Sequence, residues 1–281
     1  MRTVPNKTDL KKLLRSAQSQ GLSVGFVPTM GALHEGHLSL VRRSKKDNAV
    51  TVASIFVNPT QFGPNEDFER YPRDPERDQS LLSREKVDYL YAPSKEDIYA
   101  PGSSTYVDET ELSQVMCGAF RPGHFRGVCT VVFRLFQIVQ PDRAYFGQKD
   151  AQQLRIIEKM AEDLGLDIRI IGCPTLREGD GLAMSSRNAY LSEEERTVAP
   201  QIYAALKEAQ SAFTGGERSV SRVLETAKDA LGRHPAIQTQ YLELRRWRDL
   251  RVEEAITEKS VLAFAGYLGK TRLIDNVILT P

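Results

Sequence analysis

Val24-Gly25-Phe26-Val27-Pro28-Thr29-Met30-Gly31-Ala32-Leu33-His34-Glu35-Gly36-His37-Leu38-Ser39-Leu40-Val41 is the stretch on which the fold turns. Val24 to Pro28 reads as a strand, Thr29 to Leu33 as a short loop with a glycine, and Leu38 to Val41 as the first turns of a helix. Strand, glycine loop and helix opening is how an α/β sheet turns backbone N–H groups towards phosphate. His34 and His37 stand three residues apart on the opening turn, so both can reach one ligand from one helical face. Two duller readings compete. The zinc signature His-Glu-x-x-His puts its histidines four apart, whereas here they are three apart, with Gly36 between them and no third ligand nearby. The pair could also be merely structural, and the rest of the chain bears on that choice.

Outward from this stretch, strand-like and helix-like segments alternate as far as about Cys173. Thr51 to Val57 is rich in β-branched residues, stops at Asn58-Pro59 and suits a buried parallel strand. Pro75 to Lys86 is a helix with proline in its first turn. Val87 to Tyr91 is a strand, and the apolar run Val128 to Val139, closed by Pro141, a buried helix. Arg143 to Gly147 is a strand, Ala151 to Leu164 a helix ended by Gly165, and Ile168 to Ile171 a strand. Such β-then-α repeats predict a parallel sheet with helices on both faces. Beyond Pro174 the pattern changes. Ser192 caps a long helical stretch opened by Glu193, Glu194 and Glu195, and a second helix spans about Ser219 to Leu231. Strand-like pieces follow at Gln240 to Leu244, Ser260 to Leu268 and Thr271 to Leu279. The expected division is residues 1–175 as an α/β domain and 176–281 as a smaller α+β domain, with a boundary near Pro174 to Gly181.

Composition narrows the function classes. The chain has 281 residues, 41% hydrophobic and 27% charged, as in ordinary soluble globular proteins. A formal net charge of +1 gives no basic field for nucleic acid. Cys117, Cys129 and Cys173 form no CxxC pair and are odd in number, which fits a reducing cytoplasm and no disulfide framework. The polar N-terminus carries no signal-peptide core, and no apolar run approaches a membrane span. A soluble cytoplasmic protein is expected, with no nucleic-acid or membrane partner.

Polar clusters recur at the strand ends, where an open α/β sheet keeps its ligands. After His34 and His37 come Asn58-Pro59-Thr60-Gln61-Phe62, then Tyr71-Pro72-Arg73-Asp74-Pro75-Glu76-Arg77-Asp78. The next are Arg121-Pro122-Gly123-His124-Phe125-Arg126-Gly127 and Gly147-Gln148-Lys149-Asp150-Ala151-Gln152-Gln153, in which Lys149 can act as a point charge on phosphate. Met184-Ser185-Ser186-Arg187 lies past the boundary. Each has a bland alternative: Asn58-Pro59 as a strand stop, Tyr71 to Pro75 as a rigid turn, Asp150 as a helix cap, Arg121 and His124 as loop residues. Their joint placement at successive strand ends favours a nucleotide site.

Pro28 to His37, Phe56 to Phe62, Arg121 to Gly127, Gly147 to Asp150 and Ser185 to Asn188 resemble, block by block and in order, the pantothenate synthetase (pantoate–β-alanine ligase) family of the HxGH nucleotidyltransferase-like superfamily. The likeness is dense from about Val24 to Leu191. It implies a Rossmann-like N-terminal domain, a smaller C-terminal lid domain and a homodimer. It also implies a two-step reaction: ATP and pantoate give pantoyl adenylate and pyrophosphate, then β-alanine displaces AMP. Carried over residue by residue, it makes His37 a proton donor, with His34, Lys149 and Arg187 as the other catalytic groups. ATP would be held by Met30, Gly31, Ala32, Leu33, His34, Glu35, Gly36 and His37, by Gly147, Gln148, Lys149 and Asp150, and by Leu176, Met184, Ser185, Ser186 and Arg187. Gln61 and Gln153 would bind pantoate, Gln61 also β-alanine, and Asp78 would meet the Mg²⁺ that accompanies ATP. Arg77 stands where some relatives have a second acid. Gly179 and Gly181 would absorb a hinge motion of the lid.

Three rivals remain at this point. A ligase for another acid would keep the adenylate chemistry and change the Gln61–Gln153 pocket. A dinucleotide oxidoreductase lacks its Gly-x-Gly-x-x-Gly after the first strand. A non-catalytic nucleotide sensor would bind without turnover.

Overall fold

The computed structural model describes residues 1–64 and 66–281. By its internal contacts the chain forms two compact units: Met1–Gln114 with Gly118–Gln148 and Ile156–Pro174, and Val115–Cys117 with Lys149–Arg155 and Thr175–Pro281.

The first unit holds six parallel strands, β1 (Arg2–Val4), β2 (Val24–Thr29), β3 (Val50–Ile55), β4 (Tyr89–Tyr91), β5 (Arg143–Gly147) and β6 (Arg169–Cys173), in the order β1-β4-β3-β2-β5-β6. Between them run α1 (Lys7–Gln18), α2 (Glu35–Asp47), α3 (Pro75–Arg84), the short α4 (Lys95–Ile98) and α5 (Cys117–Phe120), α6 (His124–Val139) and α7 (Ala151–Asp163). The chain moves outward from β2 through β3 to β4, then returns to β5 on the other side of β2. Right-handed crossovers therefore put α2 and α6 on opposite faces. Side chains alternate accordingly. Val27 and Tyr145 join Leu38, Val41 and Leu82 in the core under α2 and α3. Phe26 and Phe146 instead meet Phe136 of α6, with ring centroids 6.4 and 6.3 Å apart and edge-on.

The reversal of direction lies between β2 and β5, which is where open α/β sheets bind ligands. β2 pairs with β3 from Val24↔Val50 through Thr29↔Ile55, but with β5 only at Gly25↔Arg143 and Phe26↔Ala144. Pro28 brings no N–H to a ladder, and the pairing with β5 stops before it.

The second unit has α8 (Glu193–Val198), α9 (Pro200–Thr214) and α10 (Val220–Gly232), and an antiparallel sheet of β7 (Ile237–Arg246), β8 (Ser260–Leu268) and β9 (Thr271–Leu279) in that order. Leu206, Phe213, Val223, Leu231, Leu262 and Phe264 lie in its core. Ser192 and Glu195 form a capping box at the start of α8.

The expected α/β class with a smaller α+β unit is the observed one. Several details differ. The long helix expected after Ser192 is two, because Pro200 cannot continue the hydrogen bonding of α8 and starts α9. The buried helix begins at His124, four residues before the apolar run. The sequence reading gave the first 22 residues no element, yet α1 carries Asn6 as its cap and buries Leu10, Leu14 and Ala17 at helical spacing. Among the described residues no helix is long and apolar enough to cross a membrane.

Candidate functional site

Met30 follows β2, and the chain then takes two left-handed residues, Gly31 at φ +83° and Ala32 at φ +49°. Ala32 pays a steric cost there that glycine would not. The turn aims the N–H groups of Ala32 and Leu33 at the carboxylate of Asp78 on α3, each at 2.8 Å. Arg77 holds the Leu33 carbonyl at 2.9 Å. Burial pushes the Asp78 carboxyl above its ordinary range, against the pull of the two N–H bonds.

His34 is the N-cap of α2. Its Nδ1 accepts from Gly36 N–H at 3.1 Å, and His37 Nδ1 accepts from His34 N–H at 3.3 Å, a capping box made by two histidines. An Nδ1 that accepts carries no proton, so each neutral ring has its proton on Nε2. The rings stand together, centroids 4.1 Å apart. The backbone donors expected to meet phosphate are thus engaged within the protein at Ala32, Leu33, Gly36 and His37, whose N–H also bonds the His34 carbonyl. What the helix opening offers instead is a pair of imidazole Nε2–H donors.

Gln61 sits in a second cluster of the first unit, on the one-turn helix Pro59–Gln61. Asn58, 1% exposed, donates through Nδ2 to Gln61 Oε1 at 3.0 Å and to the Gly127 carbonyl at 3.1 Å. Its Oδ1 accepts from Thr60 N–H, Thr60 Oγ1 and the Tyr99 hydroxyl. With Oε1 held by Asn58, the Nε2–H₂ of Gln61 donates to Met30 Sδ at 3.2 Å. His124 Nδ1 bonds the Gln61 carbonyl at 2.8 Å, and its Nε2 lies 3.0 Å from Arg121 Nη1. Guanidinium only donates, so His124 Nε2 accepts and Nδ1–H donates. Arg121 is in turn gripped by Glu66 through two bonds of 2.6 Å. Burial pushes the Glu66 carboxyl up, but the Arg121 bonds and charge, with Gly63 N–H, outweigh it and hold the group below its ordinary value. Gly127 lets α6 approach: a Cβ there would come within 2.4 Å of the Thr60 carbonyl oxygen.

Other expected residues belong to the second unit. Lys149, Asp150 and Gln153 are grouped with it by contacts, although the sequence division put them in the first domain. Lys149 Nζ lies 4.0 Å from Asp150 Oδ2, and the Lys149 carbonyl accepts from Asn276 Nδ2 at 2.8 Å. Gln153 is half-buried on the first turn of α7, beside the buried Gln152, which holds Cys117 N–H and the Val115 carbonyl. Leu176 is partly exposed, and its carbonyl takes Met184 N–H at 3.0 Å. Ser185 caps the one-turn helix Ser186–Tyr190 by accepting Arg187 N–H at 3.3 Å. Gly147 ends β5 and Gln148 follows it, both in the first unit.

Two further sets of expected residues have well-defined surroundings. Asp78, expected at a metal, is 1% exposed, and each of its oxygens accepts one loop N–H group. Among the described residues no group of three or more His, Cys, Asp or Glu could hold a metal ion. Gly179 and Gly181 were expected to form a hinge. They lie within a tight hairpin closed by Arg177 pairing with Ala183, where Gly181 supplies the left-handed turn at φ +97°. Arg177 clamps that hairpin by a two-bond ion pair to Asp275 at 2.6 and 2.9 Å and a further bond to the Gly181 carbonyl. The compact units part at Pro174–Thr175, before either glycine.

Sequence reasoning missed the roles of Asn58, Tyr99 and Glu66. Asn58 stood in a candidate polar cluster, with a strand stop as the alternative, but its bonds were not foreseen. Tyr99 lies 41 positions from Asn58 and Glu66 lies 55 from Arg121, so no local spacing signals them.

Comparison with known proteins agrees along the whole chain. A family model described as pantoate-beta-alanine ligase matches residues 2–278. Pantothenate synthetases of Thermotoga neapolitana and Fervidobacterium nodosum are each 53% identical over 279 residues, covering 99% of this chain and 100% and 99% of theirs. The crystal structure of pantothenate synthetase from Thermus thermophilus superposes with a TM-score of 0.95 at 46% identity, covering 100% of both chains. A pantoate-beta-alanine ligase from Francisella tularensis, solved with β-γ ATP and β-alanine, superposes at 0.81 with 34% identity, covering 99% of this chain and 97% of its own. The chain belongs to the pantoate–β-alanine ligase family.

Proposed function

We propose that the chain performs the family's ligation as an ATP-dependent condensation of (R)-pantoate with β-alanine through pantoyl adenylate, releasing pyrophosphate and then AMP. The observation that carries the reading is the histidine pair at the opening of α2, each ring held by Nδ1 so that Nε2 bears the proton. When a pantoate carboxylate oxygen attacks the α-phosphorus, negative charge builds on the phosphate oxygens and on the departing pyrophosphate. Preorganised N–H donors that need no reorientation stabilise that charge. In this reading His37 and His34 supply such donors, and His37 is the one whose Nε2–H hydrogen-bonds the phosphate oxygen on which charge develops. Lys149 and Arg187 add positive charge, and Ser185 and Ser186 hydrogen bonds, around the other phosphates.

Gly147, Gln148, Asp150 and Leu176 serve the ribose and adenine, and Met30 to Leu33 and Met184 line the nucleotide. Gln61 offers Nε2–H to an oxygen of pantoate, and Gln153 binds the same acid. In the second step the β-alanine amine, near Gln61, attacks the acyl carbon, and AMP leaves with the former carboxylate oxygen. Mg²⁺ enters as part of the nucleotide substrate, on the phosphates. A lid role for residues 176–281, a homodimer and a cytoplasmic location belong to the same proposal. The free, buried Cys117, Cys129 and Cys173 are in keeping with a reducing compartment.

The test is AMP formation from ATP with each substrate omitted in turn. Stoichiometric AMP is expected only when pantoate and β-alanine are both present. Equal AMP with another hydroxy acid would turn the reading towards a different ligase, and no AMP under any condition would leave a nucleotide sensor.

A further inference from the structure

We infer that Asp78 is a positioning residue for the reaction, acting through the Gly31–Leu33 turn to set the histidine-capped opening of α2, and is not a ligand of the magnesium ion that enters with ATP. The inference rests on the reading of that helix opening as the adenylation site. Four observations carry it. The Asp78 carboxylate is buried, and its two oxygens accept the adjacent N–H groups of Ala32 and Leu33. Those groups converge only because Gly31 and Ala32 are both left-handed, a conformation that costs Ala32 energy unless something holds it. The contact is close: a Cβ at Gly31 would sit 3.0 Å from Asp78 Oδ2 and 3.1 Å from Ile55 Cγ2. Leu33 itself is 1% exposed and followed directly by His34, so the turn fixes the residue from which the capping box starts.

Arg77 completes the arrangement from the other side. Its guanidinium takes the Leu33 carbonyl, so neighbouring residues of α3 bind the donor and the acceptor of the same peptide segment. Each Asp78 oxygen already accepts a loop N–H, and at 1% exposure the carboxylate offers a hydrated cation no open approach. The position that reads as a metal acid in the sequence therefore serves the loop. A turn loosened from Asp78 lets the histidine rings wander, and misplacement of about 1 Å costs on the order of a hundredfold in rate.

The test uses the full chain and the Asp78→Asn variant, which keeps the shape but turns an NH₂ group towards one of the two loop N–H groups. Two quantities are measured: hydrogen exchange of the Ala32 and Leu33 amides, and pantoate-dependent exchange of pyrophosphate into ATP as Mg²⁺ is titrated. The expected result is faster amide exchange and on the order of a hundredfold slower pyrophosphate exchange, with an unchanged half-saturating Mg²⁺ concentration. Arg77→Ala, a change at a more exposed side chain, is expected to shift both readouts the same way by less, and it stands in should Asp78→Asn not fold. A raised Mg²⁺ requirement, or rescue by excess Mg²⁺ or Mn²⁺, would overturn the inference in favour of a metal ligand. Unaltered amide protection in the variants would overturn it too. A loosened loop with undiminished pyrophosphate exchange would uncouple the turn from the histidines and overturn it while leaving the two-step reaction standing. Absence of pyrophosphate exchange in the unmodified protein would instead sink the reading of the site itself.

Discussion

His34 and His37 each commit one ring nitrogen to the helix they open, and the chemistry follows from the nitrogen that remains. Because Nδ1 accepts a backbone N–H in both, the proton of the neutral ring resides on Nε2. His37→Ala removes one such donor and one capping acceptor. The expected loss of pyrophosphate exchange is about a hundred- to thousandfold, whereas the lost cap costs about 1 kcal/mol of stability. A folded variant exchanging pyrophosphate near the normal rate would remove His37 from the chemistry. At Gln153 the expectation is of recognition rather than rate. Gln153→Ala leaves a pantoate oxygen without its donor and should weaken pantoate binding by about 1–3 kcal/mol, with ATP affinity nearly unchanged. Calorimetric titration of the two ligands checks this, and equal losses for both would assign Gln153 to the nucleotide or to packing.

At the scale of elements, the turn Pro59–Gln61 is held by three neighbours. Gly127 of α6 packs against its backbone, Asn58 pins its side chain, and the Glu66–Arg121–His124 series reaches the Gln61 carbonyl. Gly127→Ala would press a methyl group against the Thr60 carbonyl, a backbone atom that cannot swing aside. An overpacking cost of about 1–3 kcal/mol and a raised KM for pantoate are expected, read by thermal melting and initial rates. Glu66 brings a pH dependence. Its folded pKa lies below its unfolded value, so its contribution is present above about pH 4.3 and fades as pH falls through the folded value. Glu66→Gln should therefore lower unfolding stability by about 1–2 kcal/mol near neutral pH, with the difference from the unmodified protein closing as pH falls through the folded value. A difference with no dependence on pH throughout the acid range would mean that packing, not charge, makes the contact. In the second unit, Arg187→Ala is expected to slow adenylation strongly while preformed pantoyl adenylate still turns over with β-alanine. Equal loss in both half-reactions would make Arg187 a general structural contact.

Across the whole molecule, what could be read from the sequence was what is local. The alternation of β and α segments, the opening of α2 and the change of style after Pro174 each express a short-range period or a cap, and each predicted its element. α1 was missed because its apolar stripe of Leu10, Leu14 and Ala17 is thin and sits among charges. The break at Pro200 was visible as a proline and passed over. The site was legible as clusters at strand ends, but not in its bonding. No spacing along the chain announces that Asp78 serves Ala32 and Leu33, that Asn58 fixes the amide of Gln61, or that Arg177 clamps its hairpin on Asp275. Those are contacts that a one-dimensional pattern does not encode.

The central claim is that a pantoate carboxylate oxygen becomes bonded to the α-phosphorus of ATP. Its most direct measurement follows heavy oxygen in the pantoate carboxylate through one turnover with ATP and β-alanine. A pantoyl adenylate transfers one labelled oxygen to AMP, because amine attack on the acyl carbon expels the bridging atom, and mass spectrometry of AMP should find it. Label absent from AMP, or found instead in orthophosphate alongside ADP, would mean that pantoate is activated at another phosphorus and would contradict the account.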